Sequence, residues 1–201
     1  GLGMNFGKIG TAMITPFKKD GTINYPELER IINHLIENGT DSIVACGTTS
    51  ENPTMSTEEK IEVVRFTVEK VAGRVPVIAG TGDNETAYSI MMTHKAEENG
   101  ADAIMLVTPY YNKSNKNGLV EHYNFITKWC QIPTVVYNVP SRTGVDISPE
   151  TYAVLAENPF ICGVKEASGN IAKAERVLNL CGDKIDIYSG FLGAGKTTLI
   201  K

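Results

Sequence analysis

The sequence contains no apolar run of about 18 residues, the length that a membrane-spanning helix needs. Positive charge is also in the minority, because 19 Lys and Arg stand against 23 Asp and Glu and leave a formal net charge of −4 at pH 7. This balance argues against the basic surface that nucleic acids and anionic membranes attract. The N-terminus has neither the charged start nor the apolar core of a signal peptide. We therefore expect a cytoplasmic protein with no nucleic-acid partner and no membrane partner.

Cysteine and histidine are scarce, and neither forms a pattern. The four cysteines, which follow no paired spacing, are Cys46, Cys130, Cys162 and Cys181. Such cysteines are typical of buried free thiols in a reducing compartment. The three histidines lie on three different predicted helices, with no partner at ligand spacing, at His34, His94 and His122. We therefore expect no disulfide framework and no metal site.

The chain is rich instead in short apolar strands, each followed by a helical pattern. Its 201 residues are enough for one sizeable core or at most two small ones. The predicted strands cover residues 8–15, 42–46, 75–79, 103–108, 134–138, 161–164 and 185–189. Alternating strands and helices predict a parallel sheet, either doubly wound or rolled into a barrel.

Side chains that can do chemistry follow the carboxyl ends of four of these strands. They are Thr48, Thr49, Tyr110, Tyr111, Tyr137, Arg142 and Lys165. In a barrel these strand ends converge on one mouth, whereas in an open sheet they would spread along an edge. We therefore predict an α/β protein of the (β/α)8 TIM-barrel type.

Lys165 has two interpretations. It ends a buried strand that begins at Ile161, and a lysine in that position is costly unless it is paired or deprotonated. It can be a salt-bridged or snorkelling side chain. It can also be an amine nucleophile, kept neutral so that it forms a Schiff base with a carbonyl substrate. Lowering a lysine pKa from about 10.4 to about 7 requires roughly 4.6 kcal/mol, which a closed apolar site can supply.

Four motifs occur in order along most of the chain, at residues 47–51, 107–112, 137–144 and 163–167. With these motifs the sequence resembles the dihydrodipicolinate synthase family, within the wider pyruvate-dependent lyases related to N-acetylneuraminate lyase. The resemblance implies a barrel enzyme that condenses pyruvate with aspartate semialdehyde in lysine and diaminopimelate biosynthesis. It also implies a homo-oligomer and no cofactor beyond the covalent imine between Lys165 and pyruvate.

The resemblance assigns a role to each motif residue. Lys165 would form the imine, and Tyr137 would move protons through Thr48 and Tyr111, the latter lent by a neighbouring subunit. The substrates would be held at Thr49 for the pyruvate carboxylate, Arg142 for the semialdehyde carboxylate, and Gly190.

Each residue also has a structural interpretation. Tyr137 and Tyr111 can be core aromatics, the two threonines can be loop caps, and Arg142 can be a surface charge after a turn.

The resemblance breaks after Gly190. The segment from Gly190 to Thr197 matches the phosphate-binding P-loop pattern, which predicts a strand, a glycine-rich loop and then a helix. It resembles the P-loop of metallochaperone-type GTPases, so an alternative function is nucleotide binding through Gly195, Lys196 and Thr197. A third possibility is an inactive fragment.

The break also suggests how the chain is divided. We expect leader residues 1–3, an incomplete barrel domain over 4–190 that is truncated after the seventh strand, and a grafted tail over 191–201. Without an eighth strand, the first and seventh strands would be left as open edges.

Overall fold

The structure, a computed structural model, describes residues 6–46, 55–83, 85–109, 116–190 and 196–200. The strands are β1 (Ile9–Ala12), β2 (Ser42–Ala45), β3 (Val77–Gly80), β4 (Ala103–Val107), β5 (Thr134–Asn138), β6 (Ile161–Glu166), β7 (Asp186–Gly190) and β8 (Lys196–Ile200). The helices are α1 (Tyr25–Glu37), α2 (Thr57–Val71), α3 (Thr86–Glu98), α4 (Lys116–Trp129), α5 (Pro140–Thr143), α6 (Pro149–Leu155) and α7 (Ile171–Cys181).

The strands form a closed barrel in the order in which they occur along the chain. From β1 to β7, each strand is hydrogen-bonded to the next in parallel, with a helix in each connection. This confirms the predicted α/β barrel, including a regular strand–helix repeat that ends after the seventh strand.

The eighth strand departs from the regular pattern. β8 is antiparallel both to β7, where Tyr188 pairs with Leu199, and to β1, where Gly10 pairs with Thr197. The predicted helix after the glycine-rich loop is therefore wrong, and so are the predicted open edges on β1 and β7. Three of the five β8 residues are β-branched, which favours an extended backbone. Pairing at both edges also satisfies backbone groups that an open barrel would leave without partners.

Two apolar layers follow from the alternation of side chains along the strands. One layer lies between the barrel and its helices and includes Ile43, Ile104 and Val136, all fully buried. The other fills the barrel interior and includes the alternate strand residues Val44 and Met105. The carboxyl ends of the parallel strands are thus held around one packed interior.

The start of α2 is fixed by a capping box. The Ser56 hydroxyl accepts from the Glu59 N–H at 3.1 Å, and the Glu59 carboxylate accepts from the Ser56 N–H at 2.9 Å. This reciprocal pair satisfies two backbone donors that the first turn of α2 cannot. None of the helices in the described ranges has both the length and the apolar character needed to cross a membrane.

β6 contains one residue more than its neighbour β5 requires. Thr134 pairs with Ile161, but the next residue, Val135, pairs with Gly163. In a regular strand, residues 161 and 165 would share a face, since side chains alternate with a period of two. The extra residue is a bulge that shifts this alternation. Ile161 therefore packs in the helix layer, whereas Lys165 lines a cavity inside the barrel.

Candidate active site

Lys165 and Tyr137 meet at the carboxyl ends of adjacent strands. They are register partners on β6 and β5, and the Lys165 Nζ lies 4.7 Å from the centroid of the Tyr137 ring. The amine borders an interior cavity with Val44, Met105 and Tyr188. The structure thus brings together two residues that the sequence predicts to act jointly.

The surroundings of Lys165 favour a neutral amine. Burial, and after it the positive charge of Arg142, lower the pKa of Lys165 from 10.5 to about 8. Within the described part of the chain, the salt bridges of lysine side chains involve other lysines, such as Lys70, Lys173 and Lys184. This environment supports the nucleophile interpretation over a salt-bridged lysine, because a lysine amine attacks a carbonyl only when deprotonated.

Tyr137 is buried beside Lys165 and has a fixed backbone. It is 7% exposed, and burial raises the pKa of its phenol, although the charge of Arg142 opposes the shift. The phenol is therefore protonated at neutral pH. Its backbone is fixed, because the Thr108 N–H and hydroxyl both donate to the Tyr137 carbonyl, at 3.1 and 3.2 Å.

Arg142 lies on the short helix α5, directly after β5. The residue after the helix, Gly144, caps it with a φ of 70°, a left-handed conformation that glycine adopts readily. The exposed side chain of Arg142 acts electrostatically on both Lys165 and Tyr137. A guanidinium at this position is suited to binding a carboxylate through two parallel hydrogen bonds.

Five residues named from the sequence lie outside the described ranges, namely Thr48, Thr49, Tyr110, Tyr111 and Gly195. Gly190 is the last residue of β7, and its backbone pairs with Thr197. Lys196 and Thr197 are both in β8 rather than at the start of a helix. The backbone arrangement that a P-loop needs after its lysine is therefore replaced by a strand.

A second cavity opens beside the first at the barrel mouth. Its lining includes Cys46, Gly82, Val107 and Tyr137. The pKa of Cys46 is raised to about 12 by burial, so the thiol is not a nucleophile at neutral pH. Among the residues with described coordinates, no cluster of His, Cys, Asp and Glu is suitable for holding a metal ion.

A buried polar cluster behind this pair was not predicted from the sequence. Asn138 and Glu166 follow Tyr137 and Lys165 and point to the opposite side of the sheet, into the helix layer. The Asn138 amide donates to both Glu166 carboxylate oxygens at 3.1 Å, and the Tyr152 hydroxyl donates to the same carboxylate. The sequence did contain a signal for this cluster: Asn138 directly follows Tyr137 and Glu166 directly follows Lys165, each at the end of a mostly apolar strand. Buried polar residues in such positions need hydrogen-bond partners.

The fold and the site together define a class of protein: a TIM-type barrel that presents a desolvated lysine amine beside a tyrosine at the ends of its strands. The chain belongs to the dihydrodipicolinate synthetase family, whose family model matches residues 5–199.

The similar proteins include two bacterial enzymes named 4-hydroxy-tetrahydrodipicolinate synthase. The chain is 50% identical to the one from Bacillus velezensis over 187 residues and 48% identical to the one from Bacillus subtilis over 188 residues. A crystal structure of the chloride-inhibited dihydrodipicolinate synthase from Acinetobacter baumannii, complexed with pyruvate, superposes with a TM-score of 0.89 at 42% identity.

These matches cover most of this chain but only part of each relative. They include 93% of this chain and 65% of each Bacillus enzyme, and 92% of this chain and 64% of the A. baumannii chain. The chain thus spans a little under two thirds of the length of these relatives.

Proposed function

We propose that this chain carries the Schiff-base chemistry of a pyruvate-dependent synthase, condensing pyruvate with aspartate semialdehyde in lysine and diaminopimelate biosynthesis. The observation that carries the proposal is the Lys165 amine, which lies inside the barrel with a pKa of about 8 and faces the Tyr137 ring. The relatives' names and the pyruvate complex of the A. baumannii enzyme support the same substrate class.

The reaction begins with attack of the neutral Lys165 amine on the ketone carbon of pyruvate. Proton transfer from the Tyr137 phenol to the carbinolamine oxygen lets water leave and an imine form. Loss of a methyl proton to the same phenolate gives an enamine. The enamine carbon then forms the new carbon–carbon bond with the aldehyde carbon of the semialdehyde, whose oxygen takes up a proton. Attack of the semialdehyde's amino group on the imine carbon closes the ring and releases Lys165.

The remaining groups supply orientation and proton relay. Arg142 binds the semialdehyde carboxylate, Thr49 binds the pyruvate carboxylate, and Gly190 contributes to substrate binding. Thr48 and Tyr111 carry protons between Tyr137 and solvent. Tyr111 is supplied by a neighbouring subunit, so the working form is a homo-oligomer. We place this oligomer in the cytoplasm. The covalent imine removes the need for a metal cofactor.

Borohydride trapping of the pyruvate imine tests the proposal. The folded chain is incubated with pyruvate near pH 8, reduced with borohydride and digested for peptide mapping. We expect one adduct, on Lys165. The Lys165→Arg variant cannot form the imine and should lose the adduct, whereas Tyr137→Phe should retain the site but label more slowly.

The matched control is Lys184→Arg, because Lys184 forms a surface ion pair with Glu157 at 2.6 Å, far from the mouth. This variant should label Lys165 as the parent does. Labelling spread over several lysines, or labelling that survives Lys165→Arg, would remove the basis of the proposed function.

A further inference from the structure

The polar cluster behind the site consists of Asn138, Asp146, Tyr152, Glu166 and Lys173. Glu166 is 3% exposed, and Asn138 and Tyr152 are fully buried. Lys173 lies 3.6 Å from Glu166 and forms a second ion pair with the half-exposed Asp146. The Asn138 amide also donates to Asp146 at 3.0 Å. Every member therefore has a partner within the cluster.

Stability alone is a weak reason for such a cluster. Removing a carboxylate and an ammonium from water is costly, and a packed apolar layer of similar volume is often at least as stable. Apolar residues make up much of the helix layer, for example Ile104, Val136 and Leu155. Among the buried residues that the structure describes, Glu166 is the one with a charged side chain. The placement of the cluster is therefore informative.

The cluster joins the segments that carry the site residues. Asn138 and Glu166 are register partners one position beyond the Tyr137–Lys165 pair, and their side chains bridge β5 to β6. The Asn138 side-chain oxygen Oδ1 also accepts from the Ile147 N–H at 3.3 Å, which ties down the segment that follows Arg142. Tyr152 and Lys173 both contact Glu166 and so connect β6 to α6 and α7.

We propose that this cluster is a positioning device for the reaction, with Glu166 and Tyr152 as positioning residues that hold the ends of β5 and β6 so that Lys165 and Tyr137 stay facing each other. The inference rests on the proposed function for its link to catalysis. The inference also makes a structural claim, that the cluster keeps the Lys165 amine fixed and desolvated. This claim can be tested without any substrate.

The test compares Tyr152→Phe with Tyr123→Phe. Both tyrosines are fully buried on helices that pack against the barrel. The Tyr152 hydroxyl donates to Glu166, whereas the Tyr123 hydroxyl donates to the Leu106 carbonyl at 3.3 Å, outside the cluster. Each substitution removes one buried hydroxyl donor, so both are expected to lower the melting temperature, Tyr152→Phe by more because its acceptor is a carboxylate.

Two readouts separate positioning from stability. The first is the rate of borohydride-trapped imine formation at saturating pyruvate, which we expect Tyr152→Phe to lower about tenfold through misplacement of the amine. The second is the pH profile of Lys165 acylation by acetic anhydride without pyruvate. Its midpoint, expected near 8 in the parent, should rise in Tyr152→Phe as the loosened strand ends admit water. Tyr123→Phe should leave both readouts unchanged.

The titratable and charged groups that face Lys165 are the same in the parent and in both tyrosine variants, so they do not cause a difference in its pH profile. In the described structure they are Tyr137 on β5, Arg142 on α5 and Tyr188 on β7. If Tyr152→Phe does not fold, Asp146→Asn takes its place, because that residue lies at the exposed rim of the cluster. This variant should slow trapping about threefold.

Equal behaviour of the two tyrosine variants, whether both are unaffected or both slowed, would overturn the positioning role. If the parent traps no pyruvate, the proposed function fails. The acylation profile then still decides whether the cluster fixes the amine.

Discussion

The burial of Lys165 makes its amine more reactive and makes the folded state less stable. Its pKa is about 8 in the folded chain, against 10.5 when solvated. Below pH 8 both states carry the proton, so the folded state bears the whole cost of the buried charge. Between pH 8 and 10.5 the folded state releases its proton while the unfolded state keeps it, and stability therefore rises with pH.

Lys165→Met should consequently stabilise the chain at pH 7, by up to about 3 kcal/mol, because it removes the buried ammonium and keeps the side-chain length. The gain should shrink as the pH rises from 8 towards 10.5, because the folded parent then releases the proton and no longer holds a buried charge. Denaturant unfolding at pH 7 and pH 10 measures the difference.

Lys184→Met is the control for this prediction, since exposed substitutions usually change stability by less than about 0.5 kcal/mol. A Lys165→Met chain that is no more stable than the parent at pH 7, or equally stabilised at both pH values, would contradict a desolvated amine.

The residues of the site were partly predictable. Lys165, Tyr137 and Arg142 lie in compact motifs next to strand ends, so the sequence itself indicates them. The polar cluster was not predictable, because Glu166 finds Tyr152 and Lys173 only after β6, α6 and α7 pack together. The sequence shows an acidic residue beside Lys165 but not the residues that bind it.

At the scale of elements, two glycines show how closely the strands are packed. A Cβ on Gly82, just beyond β3, would lie 2.7 Å from the Val107 backbone nitrogen and 3.2 Å from the Leu106 Cα. A Cβ on Gly163 in β6 would lie 3.4 Å from the Tyr188 ring, an ordinary contact. The first contact is with backbone and cannot be relieved by a side-chain rotation.

Gly82→Ala should therefore cost about 1–3 kcal/mol, as overpacking does. It should also slow trapping at Lys165, because Gly82 shares the mouth cavity with Tyr137. Gly163→Ala should be neutral or slightly stabilising, since alanine restricts the unfolded chain. Thermal melts of the two variants give the comparison, and equal melting temperatures would show that β3 and β4 are less closely packed there.

The seven parallel strands were predictable from short apolar runs, but the bulge in β6 was not. The sequence of residues 161–165 gives no sign of an interruption in the strand. The extra residue is recognised only when β6 is paired with β5, where Thr134 pairs with Ile161 and Val135 with Gly163. Its effect reaches the site, because it determines that Lys165 rather than Glu166 enters the barrel.

At the scale of the whole molecule, one short antiparallel strand closes the barrel. Ile9 of β1 and Ser189 of β7 both pair with Thr198. The sequence did not predict this closure, because the same residues match a P-loop, whose lysine normally begins a helix. The backbone groups at the edges of β1 and β7 need a pairing strand, and this need arises from the tertiary structure. A short sequence motif carries no information about it.

Thr198→Pro should open the barrel. Proline removes a backbone donor and is not accommodated in a central strand. Amide hydrogen exchange should accelerate in β1 and β7, and the exposed edges should promote association. Thr198→Val keeps the donor and should retain the protection of the parent. Unchanged exchange in the proline variant would show that β8 does not pair as described.

The closing strand also bears on the order in which the chain folds. β7 and β8 are neighbours in sequence, so their hairpin closes a short loop and can form early. The pairing of β8 with β1 joins segments near opposite ends of the sequence, and its entropic cost is recovered only once the intervening strands are ordered. We therefore expect the pairing of β1 with β8 to form last in the sheet and to open first when the barrel unfolds.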